Sequence, residues 1–311
     1  MGEYIIEEND SNRRIDRLLR KFLKFAPLPL IYSSIRKGLV KLNGKKTRAE
    51  KKTSLGDVLY IDESLELLKK KDKVPSLQKH NLDVILRTDT LLFLNKERGL
   101  VTHGKGSIDE KVKEAFAVDN GLSFSIGALH RLDRDTTGVL SFSQSLKGAS
   151  CFSDALLRGD IERYYIGVNE GKIKEGLWKL PSKDFDRCEK LEMTYATLLE
   201  YSKKENLSLS FYKLITGKKH QIRRGAGHFS TPLLCDAVYG SKRKDYPGYF
   251  LHSLCLHFLK SIFDDLPSFI IAPIPNDFLK IIKMYFPKTN KQLSECGVED
   301  IVKLQIKNIF N

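Results

Sequence analysis

The sequence predicts an α+β protein in two parts: a small N-terminal α/β module, then a larger body with a mainly antiparallel mixed sheet flanked by helices and loops. Three observations predict it. Residues 13–62 carry two helical stretches followed by strand-like segments around an Asn-Gly turn. Residues 63–80 are polar, contain Lys69-Lys70-Lys71-Asp72-Lys73, and are poor in large apolar side chains after Leu68. From Asp83 onward, short apolar runs mix with helical stretches without regular alternation, which argues against a doubly wound parallel sheet. A chain of 311 residues has room for roughly two domains.

In order along the chain, Ile15, Leu18, Leu19, Phe22 and Leu23 recur at the spacing of one helix face. Arg14, Arg17, Lys21 and Lys24 lie off that face, and Pro27 and Pro29 are expected to end the helix. A second helix over 30–37 stops at Gly38. A strand over 39–42 runs into Asn43-Gly44, a tight-turn dipeptide, and a basic strand follows. Gly56-Asp57 leads into a last strand at 58–61, so the module is assigned to residues 1–62 and a linker to 63–80.

In the body, assigned to 81–290, Val84-Ile85-Leu86 and Leu91-Leu92-Phe93-Leu94 are short apolar runs typical of buried strands. Strands are also expected at 139–143, 164–168 and 207–215, and helices at 146–158, ending on Gly159, and at 277–285. Residues 291–311 form a C-terminal extension, either a helix that closes on the body or a tail; the sequence leaves both open.

The net charge is +14, and residues 11–53 hold fourteen Lys and Arg against Asp16 and Glu50 alone. A dense patch of one sign repels itself unless a polyanion neutralises it. Nucleic acid or an acidic surface is the partner class this favours. No apolar run reaches the ~18 residues needed to cross a bilayer, and the opening Met-Gly-Glu-Tyr-Ile-Ile has neither a signal-peptide pattern nor a myristoylation Ser or Thr. The five cysteines (Cys151, Cys188, Cys235, Cys255 and Cys296) are odd in number and form no CxxC pair. They read as small buried apolar residues in a reducing compartment, and a cytoplasmic protein is expected.

Chemistry concentrates in His130-Arg131-Leu132-Asp133-Arg134-Asp135-Thr136-Thr137-Gly138, which turns at once into an apolar run. A carboxylate such as Asp133 can serve as nucleophile, base or metal ligand. An Arg beside it favours the ionised form and fixes its orientation. Far along the chain, Thr216-Gly217-Lys218-Lys219-His220-Gln221-Ile222-Arg223 follows a strand, turns at Gly217 and opens a helix. His130, Asp133 and Asp135 are ligand types, but no second His or Cys stands at ligand spacing, so no metal site is assigned. Gly-x-Ser-x-Gly, Walker and GxGxxG motifs are absent.

These segments resemble the RluA-type pseudouridine synthases. His130-Arg131-Leu132-Asp133 matches the family's signature, and 216–223 is similar to its Thr-Gly-Arg-Thr-His-Gln-Ile-Arg. Cys235-Asp236-Ala237-Val238-Tyr239-Gly240 resembles Gly-Asp-x-x-Tyr-Gly, Leu251-His252-Ser253 resembles Leu-His-Ala, and Arg163-Tyr164-Tyr165 resembles Lys-x-Tyr. Leu94 to His103 resembles Asn-Lys-Pro-x-Gly-Leu-x-x-His. The matches keep the family's order over about 83–286, and residues 13–62 resemble an S4 RNA-binding domain.

The resemblance implies that Asp133 is the catalytic residue and that Arg223 pairs with it. It also implies that Tyr165 packs on a flipped uracil, where stacking is worth roughly 1–3 kcal/mol, and that Arg131 fills the gap the base leaves. His130, Thr136, Thr137 and Gly138 would set the loop, and 94–103 would support it. The S4-like module implies RNA contacts at Arg14, Arg17, Lys21, Arg36, Lys37, Lys41, Lys45 and Lys46. The expected substrate is 23S ribosomal RNA, with transfer RNA the alternative; a non-catalytic RNA-binding or ribosome-assembly protein is the reading from another class. No cofactor or metal is expected, and a monomer is. Whether Asp133 acts as nucleophile or base stays open.

The departures from the pattern touch its surroundings. Glu97 replaces Pro, Thr137 replaces Ser, and Ser141-Phe142-Ser143-Gln144 replaces an apolar strand. Lys218-Lys219 replaces Arg-Thr and loses a bidentate fork. Gly225 and Gly227 are expected to loosen the helix that carries Arg223, at about 1 kcal/mol each relative to Ala.

Overall fold

The computed structural model describes residues 2–66, 68, 81–116, 122–181 and 191–310. Most of the expected linker (69–80) and Cys188 lie outside the described residues.

The N-terminal module consists of β1 (Gly2–Ile5), α1 (Ile15–Phe22), α2 (Leu28–Lys37), β2 (Val40–Leu42), β3 (Lys45–Lys46), β4 (Val58–Ile61) and a short α3 (Glu63–Glu66). Its sheet runs β1-β4-β2-β3, antiparallel throughout. The apolar stripe of α1 is buried as its spacing predicts: Ile15, Leu18 and Leu19 close a core with Ile31, Ile35, Val40, Leu59 and Ile61. Pro27 and Pro29 do not end α1, which stops at Phe22; they start α2, as its N-cap and within its first turn. There the backbone N–H groups have no intrahelical acceptor, so proline removes nothing the helix uses. Asn43 and Gly44 both take positive φ, 51° and 74°, the geometry of a type I′ hairpin turn.

In the body, β5 (Val84–Arg87) and β6 (Leu91–Lys96) precede α4 (Ile108–Ala115), β7 (Gly127–Ala128), β8 (Thr137–Ser143) and α5 (Leu146–Arg158). Then come β9 (Ile161–Glu170), β10 (Gly176–Pro181), β11 (Leu191–Ser202), β12 (Leu207–Leu214) and α6 (Gln221–His228). The chain ends with β13 (Leu251–Phe258), β14 (Phe269–Ile271), α7 (Asn276–Tyr285) and α8 (Pro287–Phe310). The main path of the sheet is β10-β11-β12-β9-β13-β8-β6-β5, with β14 on β13 and β7 on β8. Among the described residues every pairing in it is antiparallel except β13 with β8.

Strand alternation sorts the side chains of β9. Tyr164, Ile166 and Val168 pack in one cluster with Phe278, Ile282 and Val302 of α7 and α8. Tyr165 belongs to another, with Leu132, Trp178, Tyr212 and Ile222. The C-terminal segment is the helical alternative: α8 kinks at Gly297 (φ 80°) and buries Val302 and Ile306. The boundary expected at 290/291 falls inside this helix, because its apolar residues complete the core that α7 begins.

Polar contacts from Asn9, Asp10 and Arg13 fasten the module to the body, Arg13 donating to the Ser123 hydroxyl. The Asp10 carboxylate, fully buried, accepts from the Leu122 and Ser123 amides at 2.5 and 3.0 Å and from the Ser123 hydroxyl. Asn9 Oδ1 accepts from the Leu146 amide at 2.9 Å, at the start of α5. Cys235 and Cys255 are buried as expected, whereas Cys151 is half-buried and Cys296 is exposed beside the α8 kink. No helix among the described residues is long and apolar enough to cross a membrane.

Candidate active site

The 130–136 loop is built from the strand that follows it. Gly138 sits in β8 with φ 105°, and an ideal Cβ there would stand 2.1 Å from the Ser253 carbonyl oxygen. Only glycine lets β8 come this close to β13, and that approach sets where the loop emerges. Thr137 and His252 hydrogen-bond across the same junction at 2.8 Å.

Segment 94–103 supports the loop from below, as expected. The Thr102 hydroxyl donates to the Leu132 carbonyl at 2.7 Å and accepts from its amide at 3.1 Å. Lys96 is fully buried; its ammonium donates to the carbonyls of Arg134 and Glu97, both at 2.9 Å. Burial pulls its pKa down to about 8, against the opposing pull of Asp135 and Asp133. His130 shapes the loop too. The Ser141 amide donates to His130 Nε2 at 3.1 Å, so that nitrogen is an acceptor and the ring is neutral. Burial holds its pKa down at about 3.

The other wall is the 216–223 turn. Gln221 locks it: its Oε1 accepts from the Thr216 hydroxyl at 2.8 Å and the Lys218 amide at 3.0 Å, and its Nε2 donates to Met193 and Thr194, both at 2.9 Å. His220 caps α6 in the left-handed region, φ 57°. The two glycines expected to loosen α6 have a packing reason. An ideal Cβ on Gly225 would meet the Trp178 ring at 2.6 Å, and one on Gly227 the Tyr239 carbonyl oxygen at 2.7 Å. Their bare backbones let those neighbours seat against the helix.

Asp133, Tyr165, Arg223 and Arg131 line one cleft of about 220 Å³. Arg223 Nη1 lies 3.4 Å from Asp133 Oδ2, the pairing expected across ninety positions. It is the looser of two. The Arg223 fork is committed to Asp236, with Nε and Nη2 donating at 2.7 and 2.8 Å, and both side chains are buried. The guanidinium also lies over the rings of Tyr249 and Tyr239, at 4.1 and 5.0 Å. Burial alone would lower its pKa; the Asp236 hydrogen bonds, with Tyr249 and Asp133, raise it above the ordinary arginine value. His220 Nε2 stands 3.6 Å from the other Asp133 oxygen, and burial lowers its pKa against the pull of Asp133. Tyr165 is buried, which raises its phenol pKa, while Arg131 is exposed at the loop.

Sequence alone does not single out Asp236, Tyr249, Tyr239, His220 or Arg163. Asp236, Tyr239 and His220 stand inside matched segments without a role there; Tyr249 carries no signal. Among the described residues, no group of three or more His, Cys, Asp or Glu is placed to hold a metal ion.

On the module, Arg17, Lys21, Arg36, Lys37, Lys45 and Lys46 are exposed and Lys41 is half-buried. Arg14 is committed within the module, its Nε and Nη2 donating to Asp16 at 3.1 and 2.8 Å.

A mixed sheet that brings a loop aspartate to a buried arginine in a cleft defines the class, and comparison with known proteins agrees. The family model for RNA pseudouridylate synthase matches residues 90–228. A ribosomal large subunit pseudouridine synthase C of Buchnera aphidicola subsp. Schizaphis graminum is 30% identical over 254 residues, 77% of this chain and 81% of that protein. The protein of the same name from Buchnera aphidicola subsp. Acyrthosiphon pisum is 30% identical over 293 residues, 86% and 92% of the two chains. The solved structure of human RNA Pseudouridylate Synthase Domain Containing 4 shares the fold, with a TM-score of 0.54 at 18% identity over 65% of this chain and 92% of that one. The chain belongs to the RNA pseudouridylate synthase family, in its RluA-type branch, and with it to the isomerases that act on RNA.

Proposed function

We propose that this chain converts uridine to pseudouridine in large-subunit ribosomal RNA, with Asp133 as the catalytic residue. The observation that carries the reading is the Asp133–Arg223 contact of 3.4 Å in a cleft that Tyr165 also lines. The names of the relatives support the ribosomal substrate. The target base must leave its stack, which costs a few kcal/mol. Phosphate contacts from the exposed cations of the S4-like module (Arg17, Lys21, Arg36, Lys37, Lys45 and Lys46) offset this cost, and Arg131 occupies the vacated stack. Such binding weakens steeply with salt.

In the cleft, Asp133 attacks C1′ or removes a sugar proton; either route breaks the C1′–N1 bond. Arg223, itself fixed by Asp236, holds the carboxylate in one orientation. Tyr165 packs on the uracil while it turns to present C5. By family resemblance the reaction uses no cofactor or metal, and the protein works as a cytoplasmic monomer.

Mapping pseudouridines in ribosomal and transfer RNA from cells with and without the gene tests this. The expected result is loss of one or more sites in the large-subunit RNA. Loss confined to transfer RNA would move the substrate there, and an unchanged map would leave an RNA-binding protein.

A further inference from the structure

Arg223 is not the only cation in the cleft. Arg163 stands two residues before Tyr165 on β9, so both project from the same face of the strand, and both line the cleft. Arg223 has Asp236 and Asp133, but among the described residues no carboxylate pairs with Arg163. Its hydrogen bond is a long one, 3.5 Å from Nη2 to the Ile215 carbonyl, and its Nε is buried without a partner. The guanidinium rests against Gly217, where an ideal Cβ would stand 2.6 Å from Nη1, so the glycine leaves the space it fills. Buried N–H donors in folded proteins almost always have acceptors. A guanidinium short of them in a substrate cleft is placed to take them from the substrate.

We propose that Arg163 holds the departing base: its guanidinium donates to a carbonyl oxygen of the flipped uracil and stabilises the negative charge that the base acquires. This rests on the reading of the chain as a uridine isomerase. When C1′–N1 breaks, the bonding pair leaves with N1, and the uracil anion spreads its charge over N1 and the two carbonyl oxygens. The sugar is held meanwhile as an ester of Asp133, or as an alkene whose C2′ proton Asp133 has taken. When C5 bonds to C1′, the ester is displaced or the proton returned. C5 then loses its proton and N1 gains one. Product and substrate are isomers, and nothing is oxidised or reduced. The anion exists only between the two bonds, so a donor aimed at it acts on the rate more than on binding.

The test uses full-length Arg163→Met and Arg163→Lys in single-turnover assays. One substrate is a uridine RNA that the wild type modifies; the other is the same RNA with 5-fluorouridine at the target. Fluorine at C5 itself stabilises the uracil anion and makes the base a better leaving group; because it cannot leave C5 as a proton does, the rate read on both RNAs is that of C1′–N1 cleavage and C5–C1′ rejoining rather than of finished pseudouridine. Arg163→Met is expected to lose about 10²-fold on uridine and several-fold less on 5-fluorouridine, with RNA affinity within about twofold and Arg163→Lys in between. Equal losses on both RNAs would overturn the proposal in favour of a structural role. Weaker binding and a shallower salt dependence at unchanged rate would overturn it in favour of a phosphate contact. Should Arg163→Met not fold, Gly217→Ala displaces the guanidinium while keeping its charge, and the same uridine-selective loss is expected. A wild type inactive on every RNA would overturn the activity reading itself, before any variant is compared.

Discussion

At the scale of single residues, Asp133 depends on a relay of charge rather than on one partner. Asp236 holds the Arg223 fork at 2.7 and 2.8 Å, and Arg223 reaches Asp133 with its remaining nitrogen. Asp236→Asn would leave a buried guanidinium with half its compensation, and breaking such a pair costs about 3–5 kcal/mol. The variant is expected to unfold at clearly lower urea and to react more slowly, while binding RNA as before. Unchanged stability would show that Asp133 alone anchors the arginine. That Asp133, Tyr165 and Arg223 would meet in one cleft was legible in the sequence because their neighbours match known segments. The Asp236 fork was not, since a carboxylate in a matched run does not announce its partner. Tyr249 was illegible for another reason: an aromatic residue after Gly248 in a loop has no periodicity to mark which way it faces.

At the scale of elements, α6 shows how local propensity misleads. Two glycines in an eight-residue helix read as a weakness, but the Trp178 ring occupies the space beside Gly225. Gly225→Ala sets two effects against each other. Helix propensity favours alanine by about 1 kcal/mol, and overpacking a filled site costs about 1–3 kcal/mol. With the ring 2.6 Å from the added carbon, the second wins, and the melting temperature should fall. A rise would mean that Trp178 is not seated there. Pro27 and Pro29 carry a similar lesson: proline marks a helix boundary, and whether it ends one helix or begins the next depends on the apolar residues beyond it.

At the scale of the whole molecule, two ionic features set how stability and binding respond to solution conditions. Glu162 is buried; burial would raise its pKa, but hydrogen bonds from His257, Lys213 and Tyr164 outweigh this and bring it down to about 2. A carboxyl with a lowered folded value contributes stability above its unfolded pKa, near 4.5, and loses it as pH falls toward 2. His130 and His252, held neutral by burial at about 3 and 4, begin to oppose folding once pH drops below about 6.5. Stability measured against pH is therefore expected to decline below pH 6.5 and faster below 4.5. Glu162→Gln should cost about 2 kcal/mol at pH 7 and remove the steeper limb; a profile with both limbs intact would exclude the cluster.

The basic N-terminal module predicts a second response. Replacing Lys37, Lys45 and Lys46 with Gln should reduce the slope of log affinity against log salt by up to about 0.9 for each phosphate left without its lysine. A filter-binding titration with an unchanged slope would remove these lysines from the interface. That separate sheets would lie on either side of residue 63 was legible because charge and periodicity both change there. The helix across position 290/291 was not legible, since a surface helix with one apolar stripe resembles a polar tail until its docking face is known.

The most direct measurement is single-turnover conversion of a large-subunit RNA fragment by wild type and Asp133→Asn, read beside RNA affinity. The amide keeps the shape of the carboxylate but removes its charge and nucleophilicity. Pseudouridine formation should disappear while affinity stays within a few-fold. A variant that still forms pseudouridine at the wild-type rate would contradict the assignment of Asp133, and with it the site built around Arg223 and Asp236.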